Sequence, residues 1–150
     1  MKRRIILPIL LAAALSTSLP TYAAETLPES VVIGEATQQL NITESERKAL
    51  LTVAMGEAGN QGTDGMRYVI STILNRVDDP DFPNTIEGVI YQKYQFYSGY
   101  TGVITDECVK ALDAELIEQI NKDVLFFCSC GYSAYGTPAF KYKDHWFSTK

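Results

Sequence analysis

The sequence predicts an α+β domain that is mostly α, with a small β element at its C-terminal end. Three observations carry that expectation. Met66, Val69, Ile70, Ile73, Leu74 and Val77 recur at helical spacing, the stripe of a helix that faces a core. Ala49, Leu50, Val53 and Ala54 repeat the pattern in a shorter run. Near the C-terminus, an apolar run from Val124 to Phe127 and a loosely alternating one from Phe140 to Phe147 suit the strands of a small sheet.

The elements can be justified in chain order. The Thr43 hydroxyl can cap the first helix, and Glu46 three residues later closes a capping box. Three glycines between Gly56 and Gly62 are expected to end that helix. Thr63 or Asp64 caps the second helix, and Asn75 and Arg76 close it, a cation there suiting the helix dipole. The two prolines between Asp78 and Pro83 mark a turn, after which Asn84 or Thr85 starts a short helix through Ile86, Val89 and Ile90. Tyr91 to Tyr100 mixes aromatic and polar residues and reads as a loop. Thr105 caps a third long helix, with Asp106 and Glu107 in its first turn and Val109, Leu112, Leu116 and Ile120 inside.

Two segments precede this domain. Residues 1–23 have a basic start, an uncharged apolar stretch and the small-residue site Thr21-Tyr22-Ala23, the pattern of a signal peptide. Residues 24–41 are polar, lack a period and read as a flexible leader, so the domain is expected to span 42–150. Cleavage after Ala23 leaves ten basic against eighteen acidic residues, a net charge of −8. An exported domain of that sign is a poor partner for nucleic acid or an anionic membrane surface, and no membrane span remains after cleavage. The expected place of action is secreted, wall-associated or periplasmic.

Composition excludes further classes. One histidine, His145, and three cysteines are too few for a supported zinc site, and no phosphate-cradling glycine motif is present. No cofactor or metal is expected. Cys108 paired with Cys128 or Cys130 would leave one free thiol, and the sequence does not choose between them.

Glu57 is the informative acid. On the helical period it shares a face with Leu50, Val53 and Ala54, and a carboxyl in partly apolar surroundings resists ionisation, as a general acid must at neutral pH. The competing reading is a solvated carboxylate at a helix end. Tyr91, Gln92, Gln95, Tyr97 and Tyr100 are candidate sugar contacts, since aromatic faces pack on pyranose C–H surfaces and amides bond hydroxyl and N-acetyl groups. Gln61 joins them as the amide of the glycine-rich turn. Phe96 is expected in the core, and His145 as a hydrogen-bonded structural imidazole.

Glu57-Ala58, Gly65, Ile73-Leu74-Asn75-Arg76-Val77, Phe82-Pro83-Asn84-Thr85-Ile86 and Gly88-Val89-Ile90-Tyr91 resemble the cell-wall hydrolase family of spore cortex-lytic enzymes. The spacing from Glu57 to Leu74 and a closing His145-Trp146-Phe147, similar to that family's His-x-Phe, extend the likeness over Thr43 to Phe147. The resemblance implies a lysozyme-like, mostly helical fold that cleaves the glycan strands of peptidoglycan, with Glu57 at the catalytic position. Two places depart from it. The run Glu57-Ala58-Gly59-Asn60-Gln61 has an amide where members carry a second acid, and Phe126-Phe127-Cys128 has a thiol where they carry a polar side chain.

With one acid, the economical chemistry is the lytic transglycosylase reaction, in which Glu57 serves as acid and then base and leaves a 1,6-anhydro end. A muramidase needs a second carboxylate. Asp64 is the nearest candidate in sequence, and capping accounts for it without catalysis. Two rivals stay open: a cysteine peptidase using Cys128 or Cys130 with His145, and a binding module that has lost catalysis. A regulatory protein partner is also left open.

Overall fold

The computed structural model describes residues 40–150. The signal-peptide expectation, and all of the leader but Leu40 and Asn41, lie outside the described residues. The described residues comprise α1 (Glu44–Ala58), α2 (Gly62–Asp78), α3 (Ile86–Ile90), α4 (Asp106–Ile117), β1 (Phe126–Cys128), β2 (Thr137–Tyr142) and β3 (His145–Thr149). The strands form one antiparallel sheet in the order β1-β3-β2. This is the α+β, mostly helical class that the sequence predicts.

Thr43 caps α1 with a complete capping box to Glu46, and its buried face is Ala49, Leu50, Val53, Ala54 and Ala58. α1 ends within the glycine run as expected, at Ala58 with Gly59 as its C-cap, but it runs through Gly56. Gly56 answers a different demand: a Cβ there would lie 2.8 Å from the Tyr97 ring and 2.9 Å from the Tyr97 carbonyl oxygen. The segment after α3 therefore rests directly on the α1 backbone, which only a residue without a side chain permits.

α2 is the central helix, with every residue from Val69 to Arg76 buried. It packs α1 on one side and α4 on the other through Leu50, Val53, Met66, Ile70, Ile73 and Leu112. Its N-cap is Gln61, not Thr63 or Asp64. The Thr63 hydroxyl instead donates to Glu107 at the start of α4, 2.9 Å away. Thr85 caps α3 and Thr105 caps α4. α4 ends at Ile117, so Ile120 lies beyond it, its amide turned back onto the Glu115 carboxylate. Leu40, assigned to the leader, already belongs to the domain through its amide, which donates to the Leu116 carbonyl at 3.0 Å.

The alternating segment Phe140 to Phe147 is two strands of a hairpin, turning at Lys143 and Asp144 with Lys143 at φ 46. β1 pairs with β3 as the apolar run suggested, Phe127 opposite Phe147. Phe147 is fully buried among Tyr68, Phe127 and Phe140, and truncating such a ring to alanine costs about 3–5 kcal/mol.

Two buried ions join the layers. Arg76 donates Nε to the Leu125 carbonyl at 2.7 Å and a guanidinium N–H to Gln95 Oε1 at 2.9 Å, beneath the rings of Phe82, Phe96 and Phe126. Burial lowers its pKa to about 10, so it remains charged at neutral pH. Glu115, 1% exposed, accepts from Arg67 at 2.9 Å, from the Ser71 hydroxyl and from the Ile120 amide. Both ions sit on the apolar face of their helix: Arg76 is seven residues after Val69, and Glu115 is three after Leu112. That spacing was the signal available for them in the sequence.

Candidate active site

Glu57 occupies the last turn of α1, half-buried, between two structures brought to it from elsewhere. On one side the strap of residues 91–100 crosses α1 at Gly56, and the Tyr97 amide donates to Glu57 Oε1 at 2.5 Å. On the other side stands His145 at the start of β3, 5% exposed and 4.9 Å from the Phe127 ring. Burial pushes the His145 pKa below its usual value, and the negative charges of Glu57 and Asp144 pull the other way. The imidazole is therefore neutral at neutral pH, and Glu57 lies close enough for its charge to be felt.

Gln61 completes this corner. Its side-chain nitrogen is 3.3 Å from His145 Nδ1 and 3.4 Å from Nε2. Near-equal distances to both ring nitrogens place the amide over the ring face rather than in its plane. Its Oε1 is buried without a partner among the described residues, while its main-chain carbonyl accepts from Lys143 Nζ. Gln61 is 3% exposed, so the structure corrects its expected role as a sugar contact. It is packed under the site and positions His145.

The strap divides the other candidates. Tyr91 and Tyr97 are 64% and 57% exposed and free to meet a ligand. The Tyr100 hydroxyl is turned back to the Val103 carbonyl at 3.1 Å, and its ring lines a cavity of about 390 Å³ with Ser45, Thr52, Tyr91 and Ser98. Gln95 is exposed, and its side-chain Oε1 accepts from Arg76, which anchors the strap. Gln92 is half-buried, its Oε1 without a partner among the described residues. Phe96 packs on the core as expected. Tyr94, 89% exposed under the Lys93 ammonium, is an aromatic the sequence reading passed over. Two larger concavities, of about 620 and 520 Å³, lie around Asp79 and Lys150 and around Leu116 and Ile117. Neither is lined by Glu57, Tyr97 or His145.

The thiols are accounted for. Cys128 and Cys130 form a disulfide, and Cys108 is free and buried, a pairing the sequence left open. Burial pushes the Cys108 thiol up to about 11, and a thiol so protonated is no nucleophile. A Cys–His peptidase therefore finds neither of its sulfurs available. Among the described residues no cluster of three or more His, Cys, Asp or Glu could hold a metal ion, and no helix is long and apolar enough to cross a membrane.

Glu57 is thus a half-buried carboxylate held through one oxygen by the Tyr97 amide, near a buried neutral imidazole and beside a strap that exposes tyrosines. The chain belongs to the cell wall hydrolase family, whose model matches residues 60–148. That match is narrower than the motif resemblance and starts three residues after Glu57, so it does not itself assign the acid. Two solved structures share the fold. The catalytic domain of the Bacillus cereus SleB protein matches with a TM-score of 0.63 at 20% identity, over 78% of this chain and 99% of that one. The catalytic domain of the germination-specific lytic transglycosylase SleB from Bacillus anthracis matches with 0.62 at 21% identity, over 72% and 97%. A comparison with curated proteins finds no match.

Proposed function

We propose that this domain cleaves the glycan strands of peptidoglycan as a lytic transglycosylase, with Glu57 as its single acid and base. The observation that carries the reading is the corner around Glu57: a half-buried carboxylate held through one oxygen by the Tyr97 amide, with Gln61 and His145 as uncharged neighbours and the exposed Asp144 as the other carboxylate whose charge reaches the imidazole. Membership of the cell wall hydrolase family supports the substrate, and likeness to a domain described as a lytic transglycosylase supports the route.

Glu57 gives its proton to the glycosidic oxygen as the bond from that oxygen to C1 breaks. The resulting carboxylate takes the proton of the muramic acid 6-hydroxyl, whose oxygen closes on C1 of the same sugar. The balance needs no water. The product is a 1,6-anhydro end, and the leaving strand keeps the glycosidic oxygen, which becomes a hydroxyl with the proton from Glu57. Tyr91 and Tyr97 supply the faces on which sugar rings lie. We place the reaction outside the cytoplasmic membrane, a reading supported by the Cys128–Cys130 disulfide, which persists in oxidising compartments.

Digestion of purified sacculi in heavy-oxygen water tests the route. Unlabelled anhydro ends are expected. Label at new reducing ends would replace the intramolecular reaction with muramidase hydrolysis, and the absence of any released muropeptide would leave a binding module.

A further inference from the structure

We infer that the loop between β1 and β2, residues 129–136, is a second carbohydrate-binding surface that holds the domain on the glycan strands of the wall; the inference rests on the proposed substrate. The loop displays Tyr132 at 44% and Tyr135 at 87% exposure, outside the strap and outside the corner around Glu57. Exposed aromatics on a slack loop would gain little from binding, because the loop would first have to be ordered. This loop is tied down along its length. The Cys128–Cys130 disulfide fixes its entry, and the Ser133 amide donates to Ser148 Oγ on β3 at 3.3 Å. The Tyr135 amide donates to Ser133 Oγ at 3.1 Å. At its exit, Gly136 lies against the Thr149 carbonyl and the Phe126 ring, where any Cβ would overlap them. The two tyrosines are presented by a preformed frame.

Charge and position select the ligand. No charged residue occurs from Val124 to Phe140, in a chain of net charge −5. A neutral polyhydroxy strand meets this surface without Coulombic cost, whereas the carboxylate-bearing stem peptides of the wall gain nothing from it. Tyrosine suits such a strand, with an apolar face for the sugar ring and a hydroxyl for its polar edge. The loop leaves the sheet where Cys128 pairs with Trp146, the neighbour of His145, and returns at the far end of β3, where Ser133 and Gly136 meet Ser148 and Thr149. The two tyrosines are thus held away from the corner around Glu57, as a surface that retains the strand without occupying the cleavage position.

The test is binding, not turnover. The full chain carrying Glu57→Gln is sedimented with purified sacculi, with and without Tyr132→Ser and Tyr135→Ser. Removing both aromatic faces should weaken association about tenfold, as two lost stacking contacts imply, with an unchanged melting temperature. Val103→Ala, an equally exposed apolar change elsewhere, should leave binding as it was. Cys128→Ser with Cys130→Ser should weaken binding by loosening the frame. A β-1,4-linked N-acetylglucosamine oligomer should displace the protein, and a free stem peptide should not. Equal sedimentation of the tyrosine variant, or displacement by the peptide alone, overturns the inference and leaves the cleavage reading standing. Digestion by the unaltered chain tests that reading separately.

Discussion

The interior of the helical layer and the rim where α1 meets the sheet each hold a glutamate, and the two could hardly be treated more differently. Glu115 is 1% exposed, paired with Arg67 and bonded to Ser71 and Ile120. Burial raises its pKa while those three partners pull it back. Glu57 is half-buried and receives one backbone amide, from Tyr97. An acid whose lone pairs are all engaged is part of the scaffold. An acid gripped by one oxygen, beside exposed aromatics, keeps a proton-transfer position free. Burial alone would have selected Glu115 as the unusual carboxylate; the free valence selects Glu57.

Exchanging the two losses gives the sharpest way to break this comparison. Glu57→Gln should lower wall lysis by at least about 10²-fold, the scale of a lost general acid, with an unchanged melting temperature. Glu115→Ala should do the reverse. It leaves the buried Ser71 hydroxyl unpaired and takes the carboxylate from Arg67, which keeps only the Glu118 carbonyl, and should cost about 3 kcal/mol, while the molecules that remain folded turn over normally. Denaturant melts and initial rates on the same preparations check both. A Glu57→Gln protein that clears sacculi at the parent rate would remove the site from this corner altogether.

A smaller effect is expected at the seam between the regions. Gly56→Ala puts a methyl group 2.8 Å from the Tyr97 ring, so the strap must lift, at a cost of about 1–3 kcal/mol. Lifting it also withdraws the Tyr97 amide from Glu57, so activity should fall further than stability alone explains. A rate that tracks only the folded fraction would show that the strap does not position the acid.

The pH response separates the rim from the interior by sign. The folded His145 pKa lies below the unfolded value, so its contribution is present above the unfolded pKa of about 6.5 and is lost as pH falls through the folded pKa. Glu115, with its folded pKa raised, acts in the opposite sense and gains as it protonates. The difference in stability between the parent and His145→Gln should therefore shrink or reverse from pH 7.5 to pH 5. A difference that stays constant over that range would mean that the imidazole does not titrate with folding.

What could be read from the sequence was local. The Thr43–Glu46 box lies within four residues, the α2 stripe within twelve, and the placement of Glu57 on the α1 period within two turns, and all three stand in the structure. Contacts between distant segments were not legible. The glycine run was legible as a helix end, which Gly59 supplies, but the separate reason for Gly56 was not, because Tyr97 is forty-one residues away. The bond from Arg76 to Gln95 was hidden because the two belong to different elements. Gln61 followed the same logic, its partner His145 lying at the far end of the chain. The Phe140 to Phe147 segment was one strand rather than two because a turn at Lys143 and Asp144 carries neither glycine nor proline. Such distant segments meet at this corner, so the place of Glu57 on its helix could be read while its neighbours could not.

Asp64 is the residue on which the smallest effect and the largest consequence meet. It lies in the first turn of α2, exposed, with no side-chain hydrogen bond among the described residues. Gln61 is the N-cap, so Asp64 contributes only its charge at the positive end of the helix, worth about 0.3–1 kcal/mol. Asp64→Asn should lower stability by that amount or less and leave the turnover of sacculi unchanged, because the intramolecular reaction has no place for a second carboxylate. The alternative makes the opposite demand. A muramidase must activate a water opposite its acid, and Asp64 is the sequence-adjacent group able to do so where Gln61 cannot ionise. Rates on sacculi, melting temperature and product labelling in heavy-oxygen water, measured together on this one variant, separate the two. Loss of turnover at an unchanged melting temperature would make Asp64 the second carboxylate and turn the reaction into hydrolysis. Retained turnover with unlabelled anhydro products would leave Glu57 as the only carboxylate the chemistry requires.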